Sequence, residues 1–334
     1  MIVSDICLMN PINQLTPAEF SRHALETFQW QAAKNPVYRR YLELLGCEPA
    51  SVTAMDRIPF LPIEFFKTHR VVTGPGRETR IFESSGTTGA QTSKHYILGD
   101  EIYTDSLESG FRQFFGEPPD WCFLALLPSY PERRNSSLAF MMDRLIRRSG
   151  HPLGGFYLNN PSELAKNLES LEKSGQKTML IGVAFALLDL AEQHPVPLKS
   201  TMVVETGGMK GRREELTRKA LHDLLKAAFC LDSIGSEYGM TELLSQAWST
   251  GGGIYRTPAW MKILIRDPYD PFRNMPDGKS GGIDVIDLAN RFSCSFIQTQ
   301  DLGIRHPDGG FEVLGRFDNS ELRGCNLTYV PRSM

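Results

Sequence analysis

Four short runs carry the side chains best suited to chemistry. Ser84-Ser85-Gly86-Thr87-Thr88-Gly89 directly follows an apolar run, Ile81–Glu83. Its glycines allow a tight turn and close backbone approach, and its hydroxyls and exposed N–H groups are what oligophosphate oxygens need. An ordinary Ser/Thr/Gly turn has the same composition. The GxxxxGK[ST] spacing of a Walker A loop is absent from it. The second run, Ser236-Glu237-Tyr238-Gly239-Met240-Thr241-Glu242, follows a strand-like stretch ending near Ile234. Strand ends are where α/β proteins set ligand contacts. The Tyr238 ring can stack on a flat base, and Glu242 can hold a hard cation such as Mg²⁺ through oxygen. The third run, Thr299-Gln300-Asp301-Leu302-Gly303, also reads as a strand end, and Gly315-Arg316-Phe317-Asp318 comes soon after. Taken singly, Asp301 also reads as a turn former and Arg316 as a solvated or paired surface arginine.

Three further patterns do not make sites. Gly278-Lys-Ser-Gly-Gly282 fits the serine-hydrolase expression GxSxG, but it follows Pro276-Asp277 and precedes a strand. A nucleophile elbow needs strand, turn, then helix, so this reads as a hairpin turn. The histidines have no metal-ligand spacing and read as surface or satisfied core residues. Lys210-Gly-Arg-Arg213 reads as a solvated face at a helix start.

The elements that must position these runs can be read from periodicity. Thr16, Pro17 and Glu19 form a capping box for a helix carrying Phe20, Ala24, Phe28 and Ala32 at helical spacing. It should stop near Asn35-Pro36. A second short helix spans Val37–Leu45 and ends at Gly46, and the proline-broken run Ile58–Lys67 reads as an irregular connection. Strands are expected at Ile81–Glu83, Cys122–Leu127, Thr178–Val183, Thr201–Glu205 and Phe229–Ile234. Helices are expected between them at Ile102–Phe115, Ser137–Ser149, Pro161–Ser174, Phe185–His194 and Arg212–Ala228. Such alternation predicts an α/β fold with a largely parallel sheet. Beyond about residue 260 the pattern changes to strands at Met261–Arg266, Gly282–Leu288, Ser295–Gln298 and Phe311–Leu314. A smaller β-rich portion should therefore follow the α/β body, with a cleft at the seam.

Composition narrows the classes of function. Lys and Arg total 36 against 39 Asp and Glu, a net charge of −3, which argues against a nucleic-acid backbone binder. Cys7, Cys47, Cys122, Cys230, Cys294 and Cys325 show no CxxC and read as reduced thiols, so a cytoplasmic location is expected. The first residues, MIVSDICLMNPINQ, lack a basic start and a sustained apolar run, so no signal peptide is expected. The most apolar stretch, Met179–Ala191, is too short to span a bilayer and contains Asp189, so no membrane span is expected.

In order and spacing, the Ser/Thr/Gly loop, YGxTE, the aspartate and GRxD resemble the adenylate-forming superfamily: acyl- and aryl-CoA ligases, luciferases and peptide-synthetase adenylation domains. The resemblance covers most of the chain from about residue 81. Asn35-Pro-Val-Tyr38 and Ile58-Pro-Phe-Leu-Pro62 are similar to the phenylacetate-CoA ligase branch. Leu127-Pro-Ser-Tyr-Pro-Glu132, Glu205-Thr-Gly-Gly-Met-Lys-Gly211 and Arg323-Gly-Cys-Asn326 resemble LuxE-like acyl-protein synthetases. There are departures. The usual loop continues with Pro and Lys, whereas Gly89 is followed by Ala-Gln-Thr-Ser before Lys94, and Gln300 stands where a glycine is usual.

The resemblance implies an α/β fold like the N-terminal domain of adenylate-forming enzymes, with parallel-rich sheets and a smaller β-rich portion. Residues 1–80 would be a helical segment packing on the body, 81–258 the nucleotide- and acyl-binding body, and 259–334 the β-rich portion ending at the hinge. It also implies roles. Ser84, Ser85, Gly86, Thr87, Thr88 and Gly89 would hold ATP phosphates, and Gly207 and Gly208 would let adenine lie against backbone. Tyr238 would stack on the base, Thr241 would touch a phosphate, Glu242 would hold Mg²⁺, and Asp301 would bind the ribose hydroxyls with Arg316 nearby. The implied activity is ATP- and Mg²⁺-dependent conversion of a fatty or aryl acid to its acyl adenylate, then acyl transfer to a thiol. That thiol would be the chain's own cysteine, a partner protein or a pantetheine arm of CoA or a carrier protein.

Eighteen residues follow Arg316 and nine follow Cys325, far below the ~50 that a domain needs. The mobile, lysine-bearing C-terminal domain of the superfamily is therefore expected to be absent. Acyl-protein synthetases resemble this chain in being short and in acylating a cysteine near their own C-terminus. Cys325 reads equally as that acceptor and as a small buried apolar residue. The alternatives are a CoA ligase body served by a separate lysine-bearing domain, and a non-catalytic nucleotide- or acyl-binding subunit of a reductase or lipid-assembly complex.

Overall fold

The computed structural model describes residues 15–85, 91–207 and 216–317. Its first helix, α1 (Pro17–Lys34), begins with the expected capping box: Thr16 accepts from the Glu19 N–H while Glu19 reaches back to Thr16. Phe20, Ala24, Phe28 and Ala32 form its buried face. Asn35 ends α1 and starts α2 (Pro36–Leu44), because its side-chain oxygen accepts from the N–H groups of Val37 and Tyr38 at 3.1 and 3.0 Å. Two short elements follow, β1 (Leu61–Pro62) and the single turn α3 (Phe65–Thr68), then a hairpin of β2 (Arg80–Glu83) and β3 (Lys94–Ile97).

The α/β alternation then runs as α4 (Asp100–Phe115), β4 (Cys122–Leu126), α5 (Ser137–Ser149), β5 (Gly155–Phe156), α6 (Pro161–Ser174), β6 (Thr178–Val183), α7 (Ala184–Gln193), β7 (Thr201–Thr206), α8 (Arg218–Phe229), β8 (Gly235–Tyr238) and β9 (Ala247–Ser249). Their strands form a six-stranded sheet in the order β5-β4-β6-β7-β8-β9, parallel except for β9. Every residue of β4 and β6 is buried. That is why both read as unbroken apolar runs: a parallel strand covered on both faces has no polar side to alternate with.

The last described elements are β10 (Met261–Arg266), β11 (Ser280–Asp287), β12 (Phe296–Arg305) and β13 (Phe311–Arg316). These pair antiparallel, and β1 joins them by pairing parallel to the start of β12, Leu61 against Ile297. No helix among the described residues is long and apolar enough to cross a membrane. Cys47, Cys122, Cys230 and Cys294 are free thiols.

Three expectations are corrected. The strand placed at Phe229–Ile234 lies further on. Phe229 is the buried last residue of α8, Cys230 caps the helix in the left-handed region (φ 54°), and the strand begins only at Gly235. The helix expected from Arg212 starts at Arg218, because the Thr217 hydroxyl caps it through the Ala220 N–H; residues 212–215 lie outside the described residues. The strand expected to stop at Gln298 runs on to Arg305, so Asp301 lies inside β12 and not at its end.

The GxSxG pattern is a packing device. Residues 276–279 form a turn and β11 starts at Ser280. Gly282 faces Arg266, whose guanidinium is buried and donates to Asp284 at 2.6 Å and to the carbonyls of Ile283 (2.9 Å) and Thr299 (2.6 Å). A Cβ on Gly282 would stand 2.4 Å from Cζ of Arg266. Gly282→Ala should therefore expel the guanidinium and leave Asp284 buried without its partner. A loss of about 3 kcal/mol is expected, measured as a lowered midpoint in denaturant unfolding; an unchanged midpoint would mean that the guanidinium has room to move.

Candidate functional site

The C-terminal ends of the parallel strands deliver the YGMTE run. Tyr238 is the last residue of β8 and is buried, its ring edge-on to Tyr255 and Phe311 at 5.9 and 5.5 Å between centroids. Its hydroxyl donates to Asp301 Oδ2 at 2.8 Å. Asp301 is paired across the β12–β13 ladder with Arg316, whose Nε is 3.4 Å from Oδ1. Burial pushes the Asp301 carboxyl up, and the Tyr238 hydrogen bond and the charges of Arg316 and Arg266 oppose that. Two sheets and three separate runs thus meet at one carboxylate. Arg316 is 69% exposed, so only part of its guanidinium is committed to Asp301.

Glu242 lies just beyond, with 5% of its surface exposed. Burial raises its carboxyl, opposed by a hydrogen bond with Ser93 and by the charges of Arg316 and Lys67. Among the described residues no three His, Cys, Asp or Glu side chains converge as a metal cage. A lone carboxylate suits Mg²⁺, which typically takes one or two carboxylates and completes its shell with substrate phosphates and water. Thr241 is held through its backbone: His95 Nδ1 lies 2.9 Å from its carbonyl and Nε2 lies 2.8 Å from the Ser293 hydroxyl. A carbonyl can only accept, so Nδ1 carries the proton and Nε2 accepts from Ser293. Burial lowers His95 to about 4, which keeps the ring neutral.

The hairpin loop is described only at its root. Ser84 closes β2–β3 through Ser84 N–H to the Ser93 carbonyl (3.1 Å) and Ser93 N–H to the Ser84 hydroxyl (2.9 Å), and Ser85 is exposed. Gly86, Thr87, Thr88 and Gly89 lie outside the described residues, as do Gly208 and Cys325. Lys94 is on β3, its ammonium 3.6 Å from Glu83 across the hairpin. Gly207 directly follows β7 with φ 65°, a conformation glycine adopts freely, and open space surrounds the place of a Cβ.

Sequence reasoning missed Glu237, one residue before Tyr238. It accepts from the Thr206 hydroxyl at 2.6 Å, and burial, aided by the Glu205 charge, pushes its carboxyl up to about 7. Its signal was a carboxylate in a strand that is buried throughout. His95 and Asn290 were also missed. Asn290 donates to the Glu242 carbonyl at 2.7 Å and accepts from the Leu244 N–H at 2.9 Å, and no local spacing announces partners that distant in sequence.

The raised Glu237 carboxyl links folding to pH. The folded state holds this proton up to about pH 7, whereas the unfolded chain releases it near the ordinary glutamate value of 4.5. The stabilisation is complete below 4.5 and is lost as pH rises through 7, by up to about 3 kcal/mol. Glu237→Gln keeps an acceptor for Thr206 and cannot ionise. Its stability relative to wild type should rise between pH 5 and 8, read from paired thermal melts; a pH-independent difference would show that Glu237 stays ionised in the fold.

No protein-family model matches the chain, and no curated protein matches it. Solved structures do. The open form of 2-hydroxyisobutyryl-CoA ligase in complex with 2-HIB-AMP and CoA superposes with a TM-score of 0.66 at 15% identity, over 92% of this chain and 72% of that one. ATP-bound MatB from Rhodopseudomonas palustris gives 0.54 at 16% identity, over 72% of this chain. An ATP-bound RpMatB-BxBclM chimera gives 0.55 at 16% identity, over 73%. The chain spans about half the length of the MatB structures, 49% in each case. At such identities the likeness is one of architecture: this chain has the α/β fold of adenylate-forming enzymes.

Proposed function

We propose that the chain activates a carboxylic acid, fatty or aryl, as its acyl adenylate at the expense of ATP, and passes the acyl group to a thiol. The observation that carries this reading is the meeting of Tyr238, Asp301 and Arg316, with the Tyr238–Asp301 hydrogen bond at 2.8 Å and Glu242 within the field of Arg316. The residues that the resemblance assigns to the base (Tyr238, end of β8), the ribose (Asp301 of β12, with Arg316 of β13) and the metal (Glu242, in the connection after β8) come from two different sheets. The fold adds to it, since the similar structures were solved with ATP or with an acyl-AMP and CoA.

In the first half-reaction a substrate carboxylate oxygen attacks the α-phosphorus of ATP and pyrophosphate leaves with the electrons of the broken P–O bond. Two anions must approach, so the site has to supply positive charge. Arg316 is exposed and offers it, while Asp301 presents a carboxylate suited to paired ribose hydroxyls. Tyr238, wedged by Tyr255 and Phe311, offers a ring held in one orientation. Glu242 would hold Mg²⁺, which when bound neutralises phosphate charge. In the second half-reaction a thiolate adds to the acyl carbon and AMP departs, leaving a thioester. The acceptor we favour is Cys325, in an acyl-protein synthetase reaction. Coenzyme A is the second reading, supported by the likeness to a ligase crystallised with CoA.

Carboxylate-dependent exchange of labelled pyrophosphate into ATP measures the first half. Glu242→Gln and Asp301→Ala should each lower kcat/KM for exchange about 100-fold; absence of exchange with every fatty, aryl and amino acid tried would end the adenylation reading. Cys325→Ser tests the second half, with exchange retained and protein-bound label from radioactive acid abolished. If that label persists and is instead released as acyl-CoA when CoA is added, the acceptor is CoA.

A further inference from the structure

The turn from Ile63 to Thr68 lies outside every motif of the site, yet it is tied to β12, to the β2–β3 connection and, through His95 of β3, to the carbonyl of Thr241. The Ile63 N–H donates to the Gln298 carbonyl at 3.0 Å, which extends the β1–β12 pairing to within three residues of Asp301. Gln300, the residue before Asp301, gives its side-chain amide to the Glu64 carboxylate. Phe66 is 1% exposed and stands edge-on to the His95 imidazole, centroids 5.6 Å apart, the same ring that holds the Thr241 carbonyl. The Lys67 carbonyl accepts from Gln91 Nε2 at 2.7 Å, in the connection between β2 and β3.

Four ties thus hold the turn that carries Lys67, whose carbonyl makes one of them and whose own side chain is exposed. Among the described residues the Lys67 ammonium makes no ion pair. Lys94, the lysine next in sequence to the Ser/Thr/Gly loop, is instead engaged with Glu83 across the hairpin. Among the described residues, Lys67 and Arg316 are cations whose charge bears on the Glu242 carboxylate. An ammonium on a four-carbon stem is a compact point charge with three donors, suited to phosphate oxygens that change position during a reaction. Anchoring its backbone beforehand reduces what must be ordered when the ligand arrives.

We propose that Lys67 is a substrate-binding residue of the adenylation site, an ammonium brought in from the N-terminal segment to contact the phosphate oxygens of the bound nucleotide alongside Arg316. The proposal rests on the adenylation reading and adds to it a source of positive charge within residues 63–68 that no motif of the site announces.

The test is titration of the purified chain with MgATP, adenosine and inorganic pyrophosphate, for wild type, Lys67→Ala and Lys67→Arg, each first shown by thermal unfolding to be folded. Wild type should bind MgATP more tightly than adenosine. Lys67→Ala should weaken MgATP about 10- to 100-fold and leave adenosine unchanged, and Lys67→Arg should restore part of the loss. Equal MgATP affinities in wild type and Lys67→Ala overturn the assignment of Lys67, while acid-dependent pyrophosphate exchange in the same samples would leave adenylation standing. Pyrophosphate binding that depends on Lys67, in a wild type that neither binds nucleotide nor exchanges label, would sink adenylation and keep the anion contact. Binding of none of the three ligands would remove both.

Discussion

The geometry of the site depends on how one buried turn satisfies its backbone. Residues 288–295 connect β11 to β12, and Asn290, Ser293, Cys294 and Ser295 within them are each no more than 2% exposed. A buried turn has carbonyls and amides with no ladder to join, and each must find a partner. The partners come from three directions. Gln31 of α1 donates to the Asn290 and Arg291 carbonyls and accepts from the Ser295 N–H, and Asn35 donates to the Ser293 carbonyl at 2.8 Å. His95 of β3 accepts from the Ser293 hydroxyl. From the turn itself and its leading residue, Asn290 and Asp287 reach the other way, both to the Leu244 N–H and Asn290 also to the Glu242 carbonyl. Breaking one such bond strands a buried group at a cost of about 1–3 kcal/mol. The positions of α1, the hairpin and the YGMTE loop are therefore set together, because each supplies what the same turn lacks.

The same region buries three carboxyl groups, and burial rather than mutual repulsion is what raises them. Glu237, Glu242 and Asp301 are all mostly buried and all pushed towards protonation by burial. Each meets that cost differently. Glu237 has one hydroxyl donor and retains its proton to about pH 7. Asp301 is served by the Tyr238 hydroxyl and two arginine charges, and Glu242 by Ser93 and two cations. One result is that Tyr238 and Asp301 form a unit. The ring could turn only by breaking contact with Tyr255 and Phe311 and by removing the hydroxyl from Asp301.

The order of elements and the runs that make up the candidate site were legible in the sequence because their causes are local. A capping box needs only Thr16 to Glu19, and the apolar run of β6 announces a strand buried on both faces. What failed was also local in cause. Phe229 is apolar enough to begin a strand, and only the left-handed Cys230 turns that reading into a helix end. Asp301 read as a strand terminus, with the strand expected to stop at Gln298, but β12 absorbs its irregular register at Leu302–Gly303 and continues to Arg305. The ties that hold the site were not legible at all. His95 is 146 residues from Thr241 and Asn290 is 48 from Glu242, and no periodicity spans such distances. A histidine without metal spacing was read as a surface or satisfied core residue. His95 is satisfied, and its two partners are what give it a place in the site.

Gln300 shows why a departure from a pattern can be more informative than agreement with it. A glycine in its place could not reach Glu64, and the bond from the Gln300 amide to that carboxylate would be lost. The β1–β12 pairing covers only Leu61–Ile297 and Pro62–Gln298. A pairing of two residues is weak on its own, since short strands owe their stability to neighbours and packing rather than to their few hydrogen bonds. The side-chain bond from Gln300, the burial of Phe66 against His95 and the Gln91 contact turn this marginal pairing into a fixed turn. An exposed lysine at the end of a loose segment would spend its time in solvent. The same lysine on a turn held at four points has its backbone fixed beforehand, and the residue beside Asp301 supplies one of those points.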